Sequence, residues 1–330
     1  QDSLSFFSKA ARYDVKTSII YAKEVQFVPV ADAYIYPDSG LVVVDIKAKM
    51  RTLENALIVA NVTTKYHKIY NASLNIFARK KYNASGDYDY VDENKRKQMI
   101  KFTTVTADST AQTYATGEIQ EDQSFTLSPN FEYKGEVRLT ASNPFLKFTG
   151  TGRIQQNCEA IPQVWFKFSG EIDPDEIYIP IDTNLVDEKN QKLSASIMLR
   201  SDSVSIYSTF LSREQRYSDK RVLPAYGFLF YDKGTHEYRI SNLAKLSQSS
   251  LPGNYVSLMV DSCIIYGEGK AEFGVNLGQI KITAVGNVTH RLSDDNVALD
   301  LMLLMDFFME ENAMENMAKK IETFQGLEGV

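Results

Sequence analysis

Apolar and more polar positions alternate along most of this chain. From Tyr13 onward, Val15, Thr17, Ile19 and Tyr21 share one side of the run, and Val25 and Phe27 extend it to Pro29. A period of two marks a strand with one face buried, and a proline at its end marks a strand end or a sheet edge. Pro37-Asp38-Ser39-Gly40 reads as a turn, and Leu41–Ile46 as a strand covered on both faces. In Gly86-Asp87-Tyr88-Asp89-Tyr90-Val91 the tyrosines fall on one face and the aspartates on the other. Further strands are predicted at Leu146–Phe148, Val164–Phe168, Ile177–Ile181, Ala195–Leu199, Val204–Tyr207, Tyr226–Tyr231 and through Tyr255–Val288. Ser212–Lys220 is polar and predicts a loop or short helix. Ala298–Phe308 alternates too poorly to assign, with a last strand as one option.

The period changes to that of a helix only near the C-terminus. Met314, Met317, Ala318, Ile321 and Phe324 recur at i, i+3, i+4, i+7. Glu310, Glu311 and Glu315 precede Lys319 and Lys320, an order that complements the helix dipole, and Gly326 supplies a stop. This predicts an amphipathic helix whose Met face docks on the sheet and covers an open edge.

A tripeptide Gly-x-Ile/Val is superimposed on the alternation. It occurs at Gly117, Gly135, Gly152 and Gly170, at intervals of 18, 17 and 18 residues, and again at Gly278 and Gly286. Such a step suits two short strands and two turns, either a hairpin or one coil of a solenoid, with each glycine at or beside a strand start in neighbouring strands. Asn55-Ala56-Leu57-Ile58 and Asn71-Ala72-Ser73-Leu74 extend the series, with Asn in the left-handed conformation that Gly adopts later. The expected fold is therefore mainly β: stacked antiparallel hairpins or β-solenoid-like sheets, with a C-terminal amphipathic helix. The rhythm breaks between Gln155 and Pro162, which divides the chain into residues 1–157 and 158–330.

Composition narrows the function classes. The chain has 330 residues, 19 Tyr, 18 Phe and one Trp, with a net charge of −6. An acidic chain is a poor nonspecific binder of nucleic acid, and no nucleic-acid partner is expected. The basic run Lys95-Arg96-Lys97 follows Asp92 and Glu93 and reads as a solvated turn. No apolar run reaches transmembrane length. A start at Gln1 without an apolar leader fits a processed precursor or an excised segment, and the Tyr/Asn/Thr-rich strand texture leans towards export to the periplasm or cell surface. Cys158 and Cys263 lie 105 residues apart, without zinc or redox spacing. They either pair in an oxidising compartment and tie the two halves together, or stay as separate buried thiols; in both cases no metal or catalytic thiolate is expected on them.

Candidate chemistry is sparse. His67, His236 and His290 share no ligand spacing and are read as surface or strand histidines. Asp173-Pro174-Asp175-Glu176 offers oxygen ligands for a calcium ion, with a capped turn as the plainer reading. Asp87 and Asp89 share a strand face, a geometry open to a carboxylate pair, with solvated aspartates as the default. Gly267-Glu268-Gly269-Lys270 only loosely resembles a phosphate loop and fits the β-turn series better. No Ser/His/Asp order is defensible. Sequons fall at Asn61, Asn71, Asn83 and Asn287. No catalytic, cofactor-binding or metal-binding residue is assigned.

The glycine series and Gly286-Asn287-Val288 resemble the organic-solvent-tolerance (OstA-like) repeats of periplasmic lipopolysaccharide-bridge proteins and the related AsmA-like envelope proteins. The resemblance implies stacked β-hairpins in an open "β-taco" with a lipid-carrying apolar interior and no catalytic residues. The expected role is thus a non-enzymatic cell-envelope β-scaffold that binds lipid or another amphiphile, with an envelope protein as a further partner. The alternative is an adhesin-like or glycan-binding module of a larger surface protein. An enzyme with a dispersed acidic site is a third option. An apolar interior open along its length would favour the first, a tyrosine platform with polar neighbours the second, and a pocket of convergent, strongly shifted carboxylates the third.

Overall fold

The computed structural model describes residues 3–203, 205–273, 280–307 and 310–323, with Phe307 described by its backbone. The protein is mainly β, in stacked antiparallel sheets that do not close into a barrel, with a C-terminal helix. Its residues form two compact units, 1–155 with 165–180 and 156–164 with 181–330.

In the first unit, residues Leu53–Ala60, His67–Ala78, Lys81–Val91, Lys97–Ala107, Thr113–Ile119, Phe131–Thr140, Leu146–Ile154 and Phe166–Ile172 form successive strands of an eleven-stranded sheet. All its pairs are antiparallel, so the hairpin arrangement is present and solenoid coils are not. Only the step from Gly135 to Gly152 is one strand length and one turn; the step before it also holds the short strand Thr126–Ser128, and the step after it holds the 156–164 excursion. Gly117, Gly135, Gly152 and Gly170 do lie in consecutive neighbouring strands, but within them and not at their starts. The strands are longer than the spacing implied, which moves each glycine inside.

A row across the sheet explains why glycine is needed there. It runs Ala56, Ala72, Gly86, Phe102, Gly117, Val137, Phe148, Gly170, ladder partners except that Ala72 meets Gly86 at a register shift. Gly86 and Gly117 flank Phe102, and Val137 and Gly170 flank Phe148; both rings are fully buried. A Cβ on Gly117 would stand 2.5 Å from the Lys101 carbonyl oxygen and 3.3 Å from the Phe102 ring. At the same level, Asn55 and Asn71 take φ of 54° and 49° beside register shifts in their strands. The left-handed conformation expected of these asparagines is present, as bulges inside strands and not as turns. Bulges bend a strand and raise its twist, so this row is where the sheet curves.

The buried face is filled by rings. Tyr90, Phe125, Tyr133, Phe148 and Phe168 contact one another at centroid distances of 5.0 to 6.4 Å. The Tyr90 hydroxyl donates to the Leu127 carbonyl at 2.9 Å and that of Tyr133 to the Glu136 carbonyl at 2.7 Å. Trp165 lies under two cations, Lys134 Nζ at 4.4 Å and the Arg153 guanidinium at 4.5 Å.

In the second unit, Gly227–Asp232, Glu237–Ser241, Tyr255–Met259, Ile264–Ala271, Ile280–Arg291 and Asn296–Phe307 form an antiparallel meander. A three-stranded sheet joins Ser194–Leu199 to Ile206–Ser212 and Lys220–Pro224. Residues 213–219 form a loop between strands that end at Ser212 and begin at Lys220, and residues 298–307 belong to the last strand, with Phe308 outside the described residues. Cys158 and Cys263 are disulfide-bonded, with Cα atoms 5.5 Å apart, which overturns the separate-thiol option. Both belong to the second unit, so the bond anchors the 156–164 excursion to the turn before Ile264 and does not join two halves.

The helix spans Glu311–Glu322. Its Met face is not docked: none of its residues is buried, and Met314 and Ile321 are 40% and 47% exposed. An amphipathic pattern fixes which face is apolar, not what covers it. Val204, Gly278-Gln279, Phe324 and Gly326 lie outside the described residues.

Candidate functional site: a tyrosine-lined pocket in the second unit

Three neighbouring strands present alternate residues to one face. Glu237 and Arg239 come from the first, Tyr255, Ser257 and Met259 from the second, Ile264, Tyr266 and Glu268 from the third. The intervening Tyr238, Ile240, Val256, Leu258, Ile265 and Gly267 are buried on the opposite face. This apolar/polar alternation fixes the register, since a one-residue slip would bury Glu237 and Arg239 among them.

The short helix Leu243–Ser247 and the following turn wall the face. Asn242 caps the helix by accepting the Lys245 N–H at 2.9 Å. The result is a cavity of about 400 Å³, lined by Glu237, Arg239, Lys245, Tyr255, Tyr266, Glu268 and the helix end. That volume suits a small organic ligand.

The Tyr255 and Tyr266 rings meet edge to face at 6.2 Å. Burial, then the Glu237 charge beside it, pushes the Tyr255 phenol up to about 12. Burial and then the Glu268 charge do the same to Tyr266. Both hydroxyls keep their protons at neutral pH and can donate. Tyr266 already donates to Glu268 at 3.2 Å. The Arg239 guanidinium donates to Glu237 at 2.6 Å and pairs with Asp232 at 2.6 Å. Burial opposes its charge, but the hydrogen bond to Glu237 and the surrounding negative charge prevail, and its pKa is raised. Lys245, only 5% exposed, donates to Glu268 at 2.6 Å and to the Ser249 carbonyl at 2.8 Å. The pocket thus offers two aromatic rings, a fixed guanidinium, an ammonium and two carboxylates.

None of these residues was singled out in the sequence except Glu268, as part of Gly267-Glu268-Gly269-Lys270. That segment is strand, with Gly269 at φ +139°, and no phosphate loop. The available signal was period two: Glu-x-Arg, Tyr-x-Ser-x-Met and Tyr-x-Glu each alternate with apolar residues, which puts titratable and aromatic groups on one face.

The other candidates are dispersed. Asp87 accepts from Asn71 at 3.1 Å; Asp89 accepts from Tyr70 at 2.6 Å and Lys97 at 3.2 Å, and the Tyr70 hydrogen bond first of all holds its carboxyl low. Asp173 caps its turn by accepting the Asp175 N–H at 3.0 Å, and Asp175 pairs with Lys95. In the basic run, Asp92 accepts the Asn94 and Arg96 N–H groups, both at 2.9 Å, which closes the turn. Of the histidines, His236 is exposed and bonded to Asp261, while His67 and His290 are buried strand residues, so the surface-or-strand reading holds for all three. His67 donates to the Asn143 carbonyl at 2.6 Å, and the Tyr88 hydroxyl lies 3.3 Å from its other nitrogen.

His290 lies between Ser208, 2.6 Å from Nδ1, and Asp295, 2.9 Å from Nε2. A Ser/His/Asp line is therefore present that the sequence order did not reveal. Its nitrogens are used in the opposite sense to a hydrolase triad, where Nε2 faces the serine. Here the line fastens Ile206–Ser212 to the terminal hairpin. No protein-family model, curated protein or solved structure matches this chain.

Proposed function

We propose that the chain is a non-enzymatic β-scaffold of the cell envelope whose second unit binds a small polar ligand, a saccharide, in the pocket around Tyr255 and Tyr266. The observation that carries this reading is the pairing of two edge-to-face tyrosines with Arg239, Glu237 and Glu268 around a cavity of about 400 Å³. Sugar rings present apolar C–H faces and a rim of hydroxyls. Tyrosine faces take the first, while carboxylates and a fixed guanidinium take the second, as acceptors and donors. The ring-filled buried face of the first unit weighs against lipid as the ligand there. Export to the periplasm or cell surface is supported by the Cys158–Cys263 disulfide, since such bonds persist in oxidising compartments.

The test is a saccharide panel read by calorimetry. Binding by the intact chain that falls at least about tenfold, roughly 1.4 kcal/mol, in both Tyr266→Ala and Arg239→Ala supports the site. Absence of binding across neutral, acidic and amino sugars, or binding indifferent to both variants, rejects it.

A further inference from the structure

The terminal strand Asn296–Phe307 is bonded along one side only. Its twelve residues pair without a break with Ile280–Arg291, and among the described residues no strand pairs with its other side. Both faces carry exposed apolar side chains: Leu299 at 50%, Leu303 at 57% and Met305 at 54% on one, Met302 at 68% and Leu304 at 48% on the other. Apolar residues on both faces are the pattern of a strand inside a covered sheet. Of the devices that blunt a natural edge the strand has only two charges, Asp300 and Asp306, and no proline, no lysine and no bulge. The amphipathic helix Glu311–Glu322 follows, its apolar side equally unpacked.

We propose that this strand and helix are a self-association surface, through which two copies of the chain pair edge to edge, antiparallel, about a two-fold axis at Leu301–Met302. The inference is independent of the saccharide pocket. Two observations favour a second copy as the occupant. The first is charge. An axis normal to the sheet sets each residue against one of the same face, so odd numbers meet odd and even meet even. An axis at Asp300 would set that aspartate against itself, one at Leu303 would set Asp300 against Asp306, and one at Asp306 would set Asp306 against itself. Axes at Leu301 and Met302 avoid all three clashes and still pair eleven residues of each strand, 296–306 or 297–307. About Met302, Leu299 meets Met305 and Leu301 meets Leu303, apolar against apolar.

The second is area. On the face that carries Leu299, Leu303 and Met305, these three with Met314 and Ile321 expose on the order of 90 Å² each, about 450 Å² per copy and 900 Å² for the pair, which the unpaired backbone edge brings towards the roughly 1,200 Å² of a stable interface. An axis normal to the sheet puts both helices on one face, where they would cover those three side chains.

Sedimentation equilibrium of the intact chain at micromolar concentration tests this. A dimer is expected, and the double variant Met302→Glu/Leu304→Glu should be monomeric with an unchanged far-ultraviolet spectrum, because it sets a glutamate against Asp300 about either axis and both sites are solvent-exposed in the single copy. In a parallel assay, Leu301→Cys or Met302→Cys should oxidise to a covalent dimer, since one of them stands opposite its own copy. A monomeric wild type overturns the proposal. So does a dimer that survives in the folded double-glutamate variant, or failure of both cysteine variants to cross-link. A monomeric wild type that co-sediments with phosphatidylcholine/phosphatidylglycerol vesicles would overturn it in favour of a lipid surface.

Discussion

Lys245 shows how much one residue in the pocket depends on its partner. Its ammonium is withdrawn from water and rests on Glu268 and one carbonyl. Removing one partner of a buried pair leaves an uncompensated charge, whereas replacing both with apolar groups is often neutral. Glu268→Ala is expected to cost about 2 kcal/mol, less than a fully buried pair would lose because Glu268 is 40% exposed, and Lys245→Met/Glu268→Leu should recover most of it. Urea unfolding of the three proteins measures both effects. His67 behaves differently, because burial lowers its pKa despite the Asn143 carbonyl that favours the charged form. The unfolded chain therefore binds a proton at His67 before the folded one does. Stability should fall as pH drops below about 6.5 towards the folded pKa, and be unaffected by this group above it. In His67→Gln the urea midpoint should vary less between neutral pH and the onset of carboxylate titration than in the wild type.

At the scale of elements, the curved row across the first sheet depends on the absence of side chains where the phenylalanines lie down. Gly117→Ala puts a methyl against the Lys101 carbonyl, a backbone atom that cannot step aside. A loss of about 2–3 kcal/mol is expected, in the range of overpacked cores, and thermal unfolding reads it. Deleting the helix from residue 311 onward has the opposite character. Its exposed side chains contribute little burial in a single copy, so the melting temperature of a monomeric double-glutamate background should hardly change. A large loss there would show that the helix packs on its own sheet.

For the whole molecule, the Cys158–Cys263 bond closes a loop of about 105 residues that runs through residues 165–180 of the first unit and residues 181–263 of the second. Loop-closure entropy for that length is worth about 4–5 kcal/mol. Cys158→Ala/Cys263→Ala should therefore lower protection against hydrogen exchange through Tyr255–Ala271, and the 156–164 excursion should open first. That excursion contains no strand, and the Gln156 side chain, which donates to the Ile161 carbonyl at 2.9 Å, bonds only within it.

Sequence alone determined the local periodicities and what they enforce. Alternation at Gly86–Val91 put Tyr88 and Tyr90 on the buried side and the aspartates outside, and the glycine spacing put four glycines in adjacent strands. The methionine spacing determined a helix at 311–322. These are properties of a few consecutive residues, carried by backbone geometry and the preference of apolar groups to share a face. Tertiary structure decided whatever depends on distant segments meeting. Strand length moved the glycines from strand starts to the middle, where they make room for rings from neighbouring strands. Cys158 found Cys263, Ser208 found His290, and Glu237, Tyr255 and Tyr266 converged on one pocket. No pattern within one strand encodes which strand lies beside it, and the helix remained uncovered because its sequence specifies an apolar face but no partner for it.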